Sequence, residues 1–312
     1  MREMDLPFQN VVSPWREMWS WETLWSVRNQ TQKSLAELFR AAAFPSEVLD
    51  RAKSEQLFGI LELEIVVEEF LRAIRETFSV CVRNTFHYPV RLRDVTYPVE
   101  LFYYRGDIGL LESRCVSIVG SRECTEAGKR RARRLARELS KNDYTIVSGL
   151  AAGIDTAAMT AAIETGGRTI GVIGTPITRV FPKENADLQE SVATDHLLVS
   201  HVPFHRYAHD YWKNRRLYFP QRNETMAALS LATVIIEASE TSGTHSQARA
   251  CMQAGRKLFI LNSCFERDGI KWPHLYEEQG AIRVRDIDDV LTALKDSKDV
   301  GSRLEVAEDG AA

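Results

Sequence analysis

The residues best suited to bind an anion follow a short β-branched run, at Gly120, Ser121 and Arg122. A helix is predicted to begin soon afterwards, near Glu126. Free N–H groups at the start of a helix attract anions, and a glycine lets a phosphate approach the backbone. The guanidinium of Arg122 adds a fork of donors that can close over such an anion. This segment therefore predicts a phosphate contact, although a plain strand-to-helix turn has a similar pattern.

A second glycine-rich segment follows the next apolar run. Ser148 and Gly149 end that run, and Gly153 then permits a tight turn. Asp155 stands where a helix is predicted to begin, and its side chain is suited to cap the first turn. We favour this cap over a role as catalytic base, because no histidine lies near Asp155 in the sequence.

The third segment combines a glycine turn with an aromatic and a basic side chain. Gly174 ends another apolar run, and the loop after it contains Phe181, Lys183 and Asn185. Phe181 offers a face on which a nucleobase can stack, and Lys183 offers a charge for a phosphate. Phe181 is equally suited to anchor the loop in the core, so the sequence leaves both roles open.

The fourth segment is a motif that contains Arg222 and Asn223. A dense mixture of aromatic and basic residues precedes it, over residues 211–218. We interpret the motif as part of a cation-rich and aromatic stretch that contacts an anionic ligand. A solvated connecting loop is the alternative interpretation.

The fifth segment places Ser242, Gly243 and Thr244 between a predicted strand and a predicted helix. Successive backbone N–H groups in such a turn form a nest for an anion. No group of His, Cys, Asp and Glu residues has the spacing of metal ligands. We therefore expect no metal, and the residues of these segments indicate neither a cofactor nor a catalytic residue.

The elements that must position these segments are short strands that alternate with helices after residue 110. The β-branched runs cover residues 116–120, 144–149, 168–174, 196–202, 232–238 and 256–262. Continuous apolar runs suit parallel strands that are buried on both faces. We predict an α/β fold with an extended Rossmann-like, doubly wound and mostly parallel sheet. In this fold, ligands bind outside the carboxyl ends of the strands.

A small helical N-terminal domain is predicted over residues 1–87, before a Rossmann-like domain at 88–295 and a disordered tail at 296–312. Four tryptophans lie near the start of the chain: Trp15, Trp19, Trp21 and Trp25. They form either a small core that fastens the helices to the main domain or a surface for a partner, since tryptophan is favoured at interaction hot spots.

Composition sets limits on the function. The chain has 312 residues and a net charge of -3, so phosphate binding must come from a local patch or from backbone donors. The five cysteines are odd in number and form no CxxC pair, as is typical of a reduced protein without a zinc site. The first ten residues lack an apolar region, and no apolar run approaches the length needed to cross a bilayer, so we expect neither a secretory signal nor a membrane-spanning segment. We expect a cytoplasmic protein without membrane contact.

In their order along the chain, these segments resemble the DprA/Smf family of DNA-processing proteins. The resemblance rests on SIVGSR, VSGLAAGID, GGRTIGVIGT, FPKEN, FPQRN and TSGTHSQA. It implies an extended Rossmann fold that binds single-stranded DNA, commonly as a homodimer. It also implies a non-enzymatic role in transformation, in which DNA passes to a RecA-type recombinase.

The same resemblance implies roles for particular residues. Arg122 and Lys183 match phosphate-contacting positions of the family, and residues 148–155 and 242–244 match its pocket loops. Basic or polar residues that are usual in the family are replaced at three positions: Ala152, Met159 and Glu224.

Two other functions stay open. A Rossmann-like pocket of this kind also suits a sensor that binds a nucleotide-derived signal. A nucleotide phosphoribohydrolase of the LOG type is less well supported, because Gln247 follows the TSGT turn where that class needs an acid.

Overall fold

A computed structural model of the chain describes residues 12–55 and 59–295. The strands of the described part are β1 (Ser79–Val82), β2 (Leu101–Gly106), β3 (Cys115–Val119), β4 (Thr145–Ser148), β5 (Thr169–Ile173), β6 (Leu197–Ser200), β7 (Ala232–Ile235), β8 (Lys257–Leu261) and β9 (Ile282–Val284). The α-helices of the same part are α1 (Pro14–Ser26), α2 (Gln32–Leu38), α3 (Pro45–Ser54), α4 (Ile60–Arg72), α5 (Glu126–Lys141), α6 (Ile154–Glu164), α7 (Ala186–Asp195), α8 (Phe204–His209), α9 (Trp212–Arg215), α10 (Tyr218–Leu229), α11 (Thr244–Gln253), α12 (Asn262–Phe265), α13 (Trp272–Glu278) and α14 (Ile287–Lys295).

The described strands form one nine-stranded sheet in the order β1-β2-β6-β5-β4-β3-β7-β8-β9. Neighbouring strands are parallel from β6 through to β9. Strand β2 pairs antiparallel with β6, and β1 pairs antiparallel with β2. Each of the six β-branched runs contains a strand of this sheet. The prediction of an α/β fold with a doubly wound, mostly parallel sheet is therefore confirmed.

The central strand β3 shows why these runs become strands. All five of its residues are buried. Val116 and Ile118 contact the apolar side chains of α5 and α6, whereas Cys115 and Val119 belong to the cluster that contains α10 and α11. Because successive side chains of a strand point to opposite faces, a strand covered by helices on both faces needs an uninterrupted apolar run.

The N-terminal helices pack onto the β1–β2 end of the sheet. Trp21 and Trp25 of α1 are buried in one apolar cluster with Leu101 and Tyr103 of β2. The interpretation of the tryptophans as packing that fastens the helices to the main domain is confirmed for these two. Trp15 is exposed. Among the described helices, none combines the length and the apolar character needed to span a bilayer.

The helical interpretation of residues 1–87 is wrong for Ser79–Val82, which form β1. Each residue of β1 is opposite one in β2, so pairing with a distant strand determines the local structure. The domain boundary at residue 87 stays a prediction. The predicted disordered tail at 296–312 lies outside the described residues.

Candidate functional site

The order of the strands creates a crevice at the carboxyl ends of β3 and β7. From β3 the chain continues to β4 on one side, whereas from β7 it continues to β8 on the other side. Loops that leave neighbouring strands in opposite directions open a crevice between them, where ligands of doubly wound sheets bind. Most of the site residues predicted from the sequence line this region.

Two adjoining cavities occupy the crevice. The first has a volume of about 480 Å³ and lies between the loops after β3 and β7, and the second, of about 560 Å³, lies against the loops after β4 and β5. Arg122 and Phe219 line both cavities, and the Arg122 guanidinium carbon lies 5.8 Å from the centre of the Phe219 ring. These two side chains form the shared wall. We refer to the two cavities together as the cleft.

The predicted residues divide between the two cavities. Those that line the first are Gly120, Ser121, Arg122, Asp155, Arg222, Asn223, Ser242, Gly243 and Thr244. Those that line the second are Arg122, Gly149, Gly174, Phe181, Lys183 and Arg222. Those that line neither cavity are Ser148, Gly153 and Asn185.

Arg122 and Lys183 converge on the second cavity, as the shared edge of the parallel strands predicts. Both side chains are exposed. Within residues 12–55 and 59–295, no carboxylate forms an ion pair with either of them. Their charges are therefore available to an anion that enters the cavity.

The aromatic part of the cleft is a pair of phenylalanine rings. Phe181 and Phe219 have ring centroids 5.7 Å apart, and Phe181 is 41% exposed. A Cβ atom added at Gly174 would lie 2.8 Å from the Phe219 ring, so this glycine makes room for the ring. The exposure of Phe181 favours an open stacking face over a core anchor.

Arg222 lies beneath the cleft and is directed into the protein. Its Nη1 donates hydrogen bonds to the carbonyl oxygens of Gly149, at 2.6 Å, and of Val172, at 2.7 Å. A Cβ at Gly149 would overlap the Arg222 guanidinium, so only glycine fits beside it. Burial lowers the pKa of Arg222 to about 10. The motif lies in α10, so the alternative of a solvated connecting loop is wrong. The arginine holds the backbone at Gly149, just after β4, next to that of Val172 in β5.

Asp155 holds the loop after β4 and does not cap α6. Gly153 occupies the cap position, with a φ of +85°. The Asp155 carboxylate accepts hydrogen bonds from the backbone N–H groups of Gly149, at 3.1 Å, and Ala151, at 3.4 Å. Burial raises the pKa of Asp155, and the charge of Arg222 opposes that shift. The helix-cap prediction is wrong because the carboxylate bonds to the loop that precedes its own helix.

The start of α5 already holds a carboxylate of the protein itself. Glu237 accepts hydrogen bonds from the backbone N–H of Thr125, at 3.1 Å, and from its hydroxyl, at 2.7 Å. The N–H of Ser121 donates to the Glu237 carbonyl oxygen, at 2.7 Å. The free N–H groups that the sequence predicted here are therefore partly occupied. The contribution of this segment to the cleft comes from the Arg122 side chain.

Three further predicted residues make internal contacts. The Ser148 hydroxyl donates to the carbonyl oxygen of Ile118, at 2.7 Å. Asn185 donates to the carbonyl oxygen of Leu150, at 2.8 Å, and Asn223 donates to the Ser246 hydroxyl, at 2.5 Å. These contacts fix the positions of the loops that surround the cleft.

The turn before α11 closes the far side of the first cavity. Gly243 occupies the cap position of α11, and the Thr244 N–H donates to the Ser242 hydroxyl, at 3.2 Å. The Ser242 hydroxyl in turn donates to that of Thr244, at 2.8 Å. These hydroxyl groups and the first turn of α11 form a polar wall near Arg122.

Two basic residues line the cleft in addition to the predicted site residues. Arg179 lines the second cavity and Arg216 lines the first. Both are exposed. Arg216 lies within the basic and aromatic stretch before the motif of Arg222, so that stretch carried the signal. Within the described ranges, no group of three or more His, Cys, Asp or Glu side chains is arranged to hold a metal ion.

The fold and the site define a class of protein. A doubly wound α/β sheet carries a cleft at its switch point, and exposed cations and aromatic rings line that cleft. This is the architecture of a Rossmann-like protein that binds a phosphate-bearing ligand.

The comparison with protein families identifies the family. Residues 79–295 match the model of the DNA recombination-mediator protein A family, and the chain belongs to that family. DNA processing protein DprA of Streptococcus pneumoniae is 35% identical over 209 residues, which are 65% of this chain and 70% of the relative. Protein Smf of Escherichia coli is 33% identical over 213 residues, which are 68% of this chain and 55% of the relative.

Two solved structures are similar over most of their length. The crystal structure of DprA from Streptococcus pneumoniae has a TM-score of 0.67 at 26% identity, and the alignment covers 90% of this chain and 98% of that one. A structure of DNA processing protein A from Helicobacter pylori, described for its single-stranded DNA binding mode, has a TM-score of 0.60 at 29% identity, with 71% of this chain and 98% of that one covered.

Proposed function

We propose that the cleft binds single-stranded DNA and that the protein acts in DNA uptake and recombination. The observation that carries the proposal is the second cavity, where Arg122, Lys183 and the Phe181 ring lie together. The description of the Helicobacter pylori relative, which names single-stranded DNA binding, supports it.

The geometry suits a single strand better than a duplex. Phosphates can bind the exposed Arg122 and Lys183 side chains, and an unstacked base can rest on Phe181. A base inside a duplex is already stacked on its neighbours and cannot enter the cavity without being extruded. The cleft therefore favours single strands, whose bases are unpaired and can enter the cavity without being extruded from a duplex.

The wider role follows from the family. We propose that the protein acts in the cytoplasm as a homodimer and hands DNA to a RecA-type recombinase, without catalysing a reaction. The five cysteines are all free, which suits a reducing compartment. In this proposal the site residues hold DNA through charge and stacking, and no divalent metal takes part.

The proposal is tested by the salt dependence of binding to a labelled oligothymidylate. Each phosphate contact on a single strand contributes roughly 0.7 to the slope of log affinity against log salt. Arg122→Ala and Lys183→Ala should each weaken binding and lower the slope by about that amount. The double variant should lower it by about twice as much. Fluorescence anisotropy across several salt concentrations measures both quantities.

Lys33→Ala is the matched control, because Lys33 is exposed on α2 and lines neither cavity. It should leave the slope unchanged. An unaltered slope in both cleft variants would show that these cations do not hold phosphate. Competition by duplex DNA at equal strength would contradict the preference for single strands, and loss of binding on addition of a chelator would contradict metal independence.

A small nucleotide-derived ligand is the second candidate, and one observation favours it. Gln247 is buried and lines the first cavity, and within the described residues its Oε1 has no hydrogen-bond donor. A cavity of about 480 Å³ is within the usual range for a small-molecule site. Tight binding of a mononucleotide that blocks oligothymidylate binding would favour this candidate.

A further inference from the structure

The segment that leads into α10 exposes aromatic rings that the cleft does not use. Tyr211 is 82% exposed and Trp212 is 63% exposed. The Lys213 Nζ lies 5.8 Å from the centre of the Trp212 ring. We call Tyr211, Trp212, Lys213, Arg216 and Leu217 the 211–217 surface. Large apolar side chains that are exposed next to one another are typical of an interaction surface.

The charge of the 211–217 surface indicates an anionic ligand. The nearby carboxylate of Asp210 already pairs with Arg206, at 3.1 Å, and accepts a hydrogen bond from the Tyr218 hydroxyl, at 3.2 Å. In the described part of the chain, no carboxylate forms an ion pair with Lys213 or Arg216. The surface therefore offers two positive charges that the protein does not neutralise.

The 211–217 surface is continuous with the cleft. Arg216 itself lines the first cavity. On the other side, Arg179 of the second cavity lies 5.5 Å from the centre of the Tyr207 ring, and Arg215 lies 4.9 Å from the same ring. Arg215 is the last residue of α9, which begins at Trp212. Basic side chains therefore lie between each of the two cavities and the exposed rings of Tyr211 and Trp212.

We propose that the 211–217 surface is a second stacking platform for the strand of single-stranded DNA that occupies the cleft. This inference rests on the proposed function of the cleft. Trp212 and Tyr211 stack on bases that have left the cleft, and Lys213 contacts a phosphate between them. Stacking on an aromatic ring is independent of sequence because every base has a flat face.

Two lengths of oligothymidylate separate this platform from the cleft. A strand of roughly 6 nucleotides fills a single site, whereas one of roughly 20 nucleotides extends beyond it. Trp212→Ala should weaken binding of the longer strand by about 5-fold or more, since stacking contributes about 1 to 3 kcal/mol per base. The same variant should leave the affinity for the shorter strand unchanged. Lys213→Ala should lower the salt slope of the longer strand alone, by about 0.7.

Phe86→Ala is the matched control. Phe86 is 92% exposed in the segment between β1 and β2 and lines neither cavity. The Phe86→Ala variant should bind both strands with the affinity of the unaltered protein. Equal affinities of Trp212→Ala and the unaltered protein for the longer strand would overturn the platform. A changed sedimentation coefficient in that variant would then assign the surface to contacts between copies of the chain. Failure of the unaltered protein to bind either strand would overturn the cleft proposal and the platform together.

Discussion

Arg122 and Arg222 both line the cleft, yet they lie in opposite environments. Arg122 is exposed at the rim, with the Phe219 ring beside it. Arg222 is only 7% exposed and donates to two carbonyl oxygens of the protein. Arg122, at the rim of the cleft, can place its charge against a ligand. Arg222, which forms the floor of the cleft, uses its charge to hold the backbone at Gly149 and Val172. The difference shows that a basic residue in a conspicuous motif is not by itself a ligand contact.

The comparison predicts that the floor controls stability. Arg222→Met should lower the free energy of unfolding by about 3 to 5 kcal/mol, because it leaves the buried Asp155 without its cation and removes the donor to the Gly149 and Val172 carbonyls. Urea denaturation followed by circular dichroism measures the change. Arg216→Met at the rim is the control and should stay within about 0.5 kcal/mol. Equal stabilities for the two variants would remove the distinction between rim and floor.

A second buried charge extends the comparison to the N-terminal helices. Glu22 of α1 accepts hydrogen bonds from the Tyr103 hydroxyl and from the N–H groups of Phe204, at 2.8 Å, and His205, at 2.9 Å. Burial raises the pKa of Glu22 from 4.5 to about 7, against the effect of these donors. Between pH 4.5 and 7, the folded protein therefore keeps Glu22 protonated, whereas the unfolded chain has released this proton.

Glu22 should consequently make the protein less stable as the pH rises through that range. The loss is on the order of 3 kcal/mol, and Glu22→Gln should abolish it. Burial also lowers the pKa values of His201 and His205 to about 4, and their protonation gives the opposite trend. Both histidines are present in the variant and in the unaltered protein, so the effect of Glu22 is the difference between the two. Urea denaturation at several pH values measures that difference. A difference that does not change with pH would show that Glu22 is ionised throughout.

The smallest expected effect belongs to the aromatic rim. Phe181→Ala should weaken binding of oligothymidylate by about 1 to 3 kcal/mol, because a base loses its stacking face. Its effect on stability should be small, since the ring is partly exposed. Phe181→Tyr keeps the ring and should retain most of the affinity. If the Phe181→Ala variant has a lower free energy of unfolding but binds DNA normally, the Phe181 ring is a core anchor instead.

The sequence predicted the sheet well because its central strands are buried on both faces. The run of β3 is short, rich in β-branched residues and followed by Gly120, and these features favour a buried strand over a buried helix. Strand β1 was missed because its four residues follow a long helical stretch and become a strand through pairing with β2. Such pairing between residues far apart in the chain leaves little local signal.

The site was predicted only in part, because a motif does not show which way a side chain points. Tyr218, Arg222 and Met226 are spaced four residues apart and are all buried on one face of α10. That spacing in the sequence could have placed Arg222 on the inner face of a helix. Nothing local could have shown that Glu237 would occupy the start of α5, since the two segments are more than a hundred residues apart.

The antiparallel edge of the sheet has a consequence for the synthesis of the chain on the ribosome. Strand β2 ends at Gly106, but its partner β6 begins at Leu197. Translation at about 5 to 20 residues per second separates the two by roughly 5 to 20 seconds. During that interval Trp21 and Trp25 have no access to Leu198, with which they share an apolar cluster in the finished fold. The N-terminal helices therefore leave the ribosome before β6 and complete their packing only after β6 has been synthesised.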